Sequence, residues 1–114
     1  MLNTLQLDRI FEALASGPRR QILAYLSEAK LTTTDLAQRF EMSTPAVSRH
    51  LSVLENAGLV SSERNGQYVY YSLNRDALVN SLAGYAFELC PTARPLKRES
   101  RALAKAAAKA GGRG

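Results

Sequence analysis

The chain has 114 residues, 46% of them hydrophobic, with a formal net charge of +5. A chain of that size supports one small domain with a modest core. It contains no apolar run near the roughly 20 residues of a membrane span, so no membrane insertion is expected, and its single cysteine excludes an internal disulfide framework and fits a reducing cytoplasmic setting. The opening Met1 to Ile10 does not read as a signal peptide, because Asp8 and Arg9 interrupt its apolar stretch.

The location of the charge says more than its total. From Pro91 onward seven basic residues stand against Glu99 alone, so residues 1–90 are close to neutral. Two parts are expected: a folded domain over 1–90 and a basic, flexible tail over 91–114. The tail is rich in helix-forming residues but has few large apolar anchors, and its charge suits auxiliary, non-specific phosphate contact.

In chain order, residues 4–16 predict an amphipathic helix with Leu7, Ile10, Phe11 and Leu14 on one face. Ser16-Gly17-Pro18 breaks it, and Pro18 opens a second helix over about 18–28. Ile22, Leu23 and Leu26 point inward there, and Arg20 is read as a solvated or ion-paired charge. Thr32 to Asp35 forms an N-cap cluster, with Asp35 answering Thr32 as in a capping box. The helix it starts runs to about Phe40.

A tight turn leads into Ser43–Gly58. Ser43 or Thr44 caps this helix, Pro45 sits in its first turn and Gly58 ends it. Val47, Leu51 and Leu54 form its apolar stripe, while Thr44, Ser48, Arg49 and Ser52 make a polar front. Two short capped helices joined by a turn constitute a helix-turn-helix, whose second helix enters a DNA groove. Residues 59–64 and 67–73 then alternate as strands around Asn65-Gly66, a hairpin signal that predicts a type I′ turn with two positive φ angles. Asn74 is expected to cap a last helix over 75–89, with Leu78, Leu82, Tyr85, Ala86 and Leu89 as its stripe.

The fold class predicted is therefore mainly α with a small β-hairpin: a winged helix-turn-helix in the order α-α-α-α-β-β-α. It is expected to form a homodimer through its first and last helices, with Leu7, Ile10, Phe11, Leu78, Leu82, Tyr85 and Leu89 at the interface, because so broad an apolar surface exceeds what one small core covers. The candidate DNA-binding residues are Thr44, Pro45, Ser48, Arg49 and Ser52 on the helix and Arg64 and Gln67 on the wing. Arg49 suits a bidentate contact to a guanine edge or a phosphate contact. His50 reads as a hydrogen-bonded structural residue at the rim of the stripe. Cys90 reads as a buried small hydrophobe, or else as a redox thiol near the two-fold axis. Tyr68, Tyr70 and Tyr71 read as strand-packing residues.

In combination, Ala13 to Leu23, Ser48-Arg49-His50-Leu51-Ser52-Val53-Leu54, Ala57-Gly58-Leu59-Val60, Arg64-Asn65-Gly66-Gln67 and Tyr70-Tyr71-Ser72-Leu73 resemble the ArsR (ArsR/SmtB-type) winged-helix repressors over about residues 8–90. The resemblance implies a homodimeric repressor on double-stranded DNA with inverted-repeat symmetry. It also implies a departure. Where many family members carry a Cys-x-Cys for metal, this chain has Leu36-Ala37-Gln38-Arg39, and its only histidine is His50. One His and one Cys do not supply the three or four converging ligands of a metal site, so no metal and no cofactor is expected. No nucleophile set, phosphate loop or carboxylate pair suggests an enzyme. The alternative is a winged-helix protein-interaction module with only tail-driven DNA affinity. An unidentified protein or small-molecule inducer is a candidate further partner.

Overall fold

The computed structural model describes residues 4–90; the expectation of a basic tail over 91–114 lies outside the described residues. The elements are α1 (Thr4–Leu14), α2 (Gly17–Leu26), β1 (Leu31–Thr32), α3 (Thr33–Arg39), α4 (Thr44–Asn56), β2 (Val60–Asn65), β3 (Tyr68–Leu73) and α5 (Arg75–Leu89). Five helices and a β2–β3 hairpin in this order make the winged helix-turn-helix predicted from the sequence. The first compact unit ends at Ser81, and the second begins at Leu82.

The core of the first unit gathers one stripe from each of its helices. Ile10 and Ala13 of α1, Ile22, Leu23 and Leu26 of α2, Leu36 of α3 and Val47, Leu51 and Leu54 of α4 are all buried, with Leu59 and Val60 closing the cluster. Full burial of one such aliphatic side chain stabilises by about 1.5–3 kcal/mol. Ile10 is only 1% exposed within the single chain. It is thus a core residue of the protomer, and its expected place at a dimer interface is corrected: its surface is already spent.

One strand was not predicted. Leu31-Thr32 pairs antiparallel with Tyr71 and Tyr70, so the sheet has three strands in the order β1-β3-β2. Two residues are too few to show alternation, and the pair reads in sequence as the lead-in to a cap. Thr32 performs both roles. Its hydroxyl accepts from the Asp35 amide at 3.1 Å, and its own amide donates to the Asp35 carboxylate at 3.0 Å, completing the capping box.

The helix ends differ from the expected ones for local reasons. Ser16 caps α2, accepting from the Arg19 amide at 3.3 Å, which starts that helix at Gly17. Behind it, α1 stops at Leu14, and arginines of α2 donate to its last carbonyls: Arg19 to those of Glu12 and Ala13, Arg20 to that of Leu14 at 2.7 Å. Arg20 is exposed, as a solvated charge is expected to be, and it also caps the preceding helix.

The α4–β2 junction is a Schellman motif. Gly58, with φ +79°, lets its amide reach the Glu55 carbonyl while the Leu59 amide reaches that of Leu54. Leu59 belongs to this cap, and the strand starts one residue later than expected. Asn74 stands at the head of α5, and its carbonyl accepts from the Leu78 amide. Its side chain does not cap the helix, however. The amide donates to the Gly58 carbonyl at 2.9 Å, and the side-chain oxygen accepts from Ser61 at 2.9 Å.

The hairpin turn is also shifted. The pairing runs from Val60↔Leu73 to Asn65↔Tyr68, which leaves Gly66-Gln67 as the two central residues. Only Gly66 has positive φ, at +67°. One positive φ at the first central position is the requirement of a type II′ turn rather than of type I′. Register decides the matter: pairing Val60 with Leu73 brings a buried strand residue opposite one packed on the core, and a slip of one residue would turn each to the other face.

On α5 the one fully buried residue is Ser81, whose hydroxyl donates to the Ala77 carbonyl at 2.6 Å. Val79, Leu82 and Leu89 are exposed, and Leu78 packs on the core. Cys90 is exposed, which corrects its expected burial: the last turn of α5 contributes no core residue.

Candidate nucleic-acid interface

The interface is built on α4. Ser43 caps the helix by accepting from the Ala46 amide at 3.3 Å, and Pro45 occupies the first turn, where no amide proton is needed. Val47, Leu51 and Leu54 are 0% exposed. With that stripe seated, helical periodicity turns Thr44, Pro45, Ser48, Arg49 and Ser52 outward, and all five are exposed. The predicted polar front is therefore a single solvent-facing surface of hydroxyls and one guanidinium. α3 packs against α4 across the short turn from Phe40 to Met42, as the first helix of a helix-turn-helix does.

The wing projects Arg64 and Gln67 at its exposed tip. Arg64 lies back over the turn, with Nη1 3.5 Å from the Gly66 carbonyl. The wing and α4 are joined by a hydrogen bond from the Ser62 hydroxyl to the Glu55 carboxylate at 2.7 Å. Opposite Ser62 in the ladder lies Tyr71. Its burial, and then the charge of Glu55, push the phenol above its ordinary value and keep it neutral. Tyr70 and Tyr71 are half-buried strand residues, as expected, whereas Tyr68 is 54% exposed at the wing tip.

Sequence reasoning passed over Lys30. Because β1 pairs with β3, Lys30 comes to line a recess with Glu63, Asn65 and Tyr70 of the wing strands. The available signal was the short apolar Leu31 preceding a threonine cap. His50 is half-buried behind the polar front, with Nδ1 3.3 Å from Nη1 of Arg19. Burial, followed by the charges of Arg19 and Arg49, lowers its pKa below the ordinary 6.5. It is the hydrogen-bonded structural residue expected from its place at the rim.

Among the described residues no three His, Cys, Asp or Glu side chains gather as a metal site requires. No helix of the described residues is long and apolar enough to cross a membrane.

These features coincide with a family of known proteins. The family model for the bacterial regulatory protein, arsR family, matches residues 16–62, from the cap of α2 through the first residues of β2. The chain is 38% identical over 76 residues to the transcriptional repressor SdpR of Bacillus subtilis, a match covering 67% of this chain and 84% of that protein. The chain belongs to the ArsR family. It is a DNA-binding transcriptional regulator and not an enzyme. Among solved structures, an ArsR-like transcriptional regulator from Rhodococcus sp. RHA1 superposes with a TM-score of 0.69 at 28% identity, covering 92% of this chain and 93% of that one. The homodimeric winged helix-turn-helix DNA-binding domain from Mycobacterium bovis superposes with a TM-score of 0.62 at 30% identity, over 73% of this chain and 79% of that one. The residues matched by the family model take in α2, α3, all of α4 and the start of β2.

Proposed function

We propose that this ArsR-family regulator is a homodimeric repressor that binds an inverted-repeat operator. The exposed face of α4 enters the major groove through Thr44, Pro45, Ser48, Arg49 and Ser52, and the wing reaches the flanking backbone through Arg64 and Gln67. Residues 1–90 form the reading and dimerising domain, and the seven basic residues of 91–114 add sequence-independent phosphate affinity. Lys30 joins the wing as a further phosphate contact.

The observation that carries this is the division of α4 into a stripe at 0% exposure and a front on which Arg49 alone bears a full charge. With residues 1–90 close to neutral overall, specific affinity has to come from placed groups rather than bulk charge. Dimerisation is supported by exposed apolar side chains, Phe11 on α1 and Leu82 and Leu89 on α5, and by the homodimeric relative. A dimer would present two copies of α4 to half-sites about 34–36 Å apart. A DNA partner places its action in the cytoplasm. A small molecule or protein that binds the non-reading conformation more tightly would release the operator.

The test is a titration of duplexes carrying an inverted repeat selected from random sequence. Arg49→Ala is expected to weaken specific binding by about 5- to 150-fold, the factor corresponding to about 1–3 kcal/mol for a bidentate base contact. Deleting 91–114 should lower affinity for any duplex while leaving the preference for the selected site. Full affinity in the Arg49→Ala protein would remove α4 from the groove.

A further inference from the structure

Arg19 occupies the first turn of α2, where a cation opposes the helix dipole. It is held there by three contacts. Nε donates to the Ala13 carbonyl at 2.8 Å and Nη2 to the Glu12 carbonyl at 2.9 Å, which gives the last turn of α1 two further donors. The third donor, Nη1, lies 3.3 Å from Nδ1 of His50, 31 residues away on α4. One planar guanidinium thus ties α1, α2 and α4 together, and its attachment point on α4 is the residue next to Arg49.

We infer that Arg19 is a positioning residue for the recognition helix, holding α4 against the end of α1 through the Nδ1 lone pair of neutral His50, and that protonation of His50 releases this latch and weakens operator binding. The inference rests on the assignment of α4 as the groove-reading element.

The chemistry is one-sided. A guanidinium has donors only and does not deprotonate. The latch therefore needs an acceptor on His50, which exists only while the imidazole is neutral with its proton on Nε2. Once protonated, Nδ1 carries a proton of its own, and two cations face each other at hydrogen-bond distance. The charged groups around the ring reinforce this. Arg19 from α2 and Arg49 from α4 both act against a charged imidazole, while Arg9 and Glu12 of α1 line the groove beside Val53, one turn further along α4. Burial acts in the same direction, so the ring is neutral at neutral pH. The latch is complete above the ordinary histidine range near 6.5 and is lost as pH falls through the lowered value. A histidine that touched DNA phosphate would behave oppositely, because the phosphate favours the imidazolium and binding would tighten in acid. The chain has one histidine, which makes the sign of the pH dependence diagnostic.

The experiment uses the full chain and a labelled duplex selected by the wild-type protein from random sequence, titrated at fixed salt at pH 7.5 and at pH 5.5. Wild type is expected to weaken in acid by about two- to tenfold, the range that one net hydrogen bond supplies. His50→Asn sets an amide oxygen near the place of Nδ1 and does not titrate; it should match wild type at pH 7.5 and lose nothing in acid. Arg19→Lys keeps the charge but not the fork, and should bind more weakly at both pH values. The same acid loss in His50→Asn as in wild type, or tighter wild-type binding at pH 5.5, overturns the latch. Arg49→Ala, run in parallel, separates the failures: retained affinity there overturns α4 as the reader and the latch with it, whereas lost affinity there beside an unchanged His50→Asn profile overturns the latch alone. Should His50→Asn fold poorly, the imidazole titration followed by NMR in wild type and in Arg19→Gln decides: it should move to higher pH without the guanidinium, and an unmoved titration overturns the proposal.

Discussion

The side-chain amide of Asn74 donates to the carbonyl of Gly58 at 2.9 Å, fastening the residue that precedes α5 to the one that terminates α4. The backbone amide of Asn74 reaches the Leu59 carbonyl at 2.9 Å, and its side-chain oxygen accepts from Ser61. One asparagine thereby fixes the point at which chain direction changes from the recognition helix to the wing. Asn74→Ala removes two side-chain hydrogen bonds and leaves the Gly58 carbonyl without this donor. The expected loss is about 1–3 kcal/mol in urea unfolding. Asn74→Asp keeps an acceptor for Ser61 and places a negative charge at the head of α5, which helix dipoles favour, so it should lose less than alanine does. Equal losses would show that only the Gly58 contact matters.

The two left-handed glycines make a matched pair. Gly58 and Gly66 have φ of +79° and +67°, and a Cβ added at either would meet nothing within 4 Å. Space is therefore not at issue; the cost of alanine is that of the backbone conformation alone, about 1–2 kcal/mol each. Gly58→Ala and Gly66→Ala should be destabilised by similar amounts in urea unfolding. A much larger effect at Gly58 would mean that the Schellman cap fails altogether, taking with it the seat of Leu59.

Much of this architecture was legible because local chemistry and burial agree. Thr32 and Ser43 cap as read, and Val47, Leu51 and Leu54 all face the core. The features that escaped are those whose cause lies outside the local window. β1 is two residues long and exists only because Tyr70 and Tyr71 pair with it. The turn centre moved from Asn65-Gly66 to Gly66-Gln67 because core register outranks a dipeptide signal. Arg19 and Arg20 look like stray surface charges until the open carbonyls at the end of α1 are seen beside them. On the candidate interface, periodicity gave the face of α4 directly, but Lys30 depends on a strand pairing that no short motif announces.

The capping box makes the stability of the fold depend on acid. Hydrogen bonds from the Thr32 amide, and then from its hydroxyl, hold the Asp35 carboxyl below its ordinary value, with Arg39 adding a smaller pull. A carboxylate with a depressed folded pKa stabilises the fold above its unfolded value, near 3.9, and loses that contribution as pH falls through the folded one. Asp35→Asn retains a side-chain acceptor for the Thr32 amide without the charge. Urea unfolding of wild type at pH 5 and at pH 3 should therefore show a larger drop than the same comparison in Asp35→Asn. Parallel drops would mean that other carboxylates account for the acid sensitivity.

The proposed dimer rests on side chains that a single chain leaves in water. Leu82 is 38% exposed and Leu89 61% exposed, and both lie on α5, where isolated large apolar residues gain little by facing solvent. Because neither belongs to the core cluster, charging them should spare the fold of the first compact unit. The double variant Leu82→Glu, Leu89→Glu is expected to keep its helical circular dichroism while sedimenting as a monomer. Its specific DNA affinity should then fall steeply and become dependent on protein concentration, because two half-sites must be filled independently rather than by one linked pair. A variant that remained dimeric and bound normally would move the interface away from α5, leaving Phe11 and the rest of α1 as the surface to alter next.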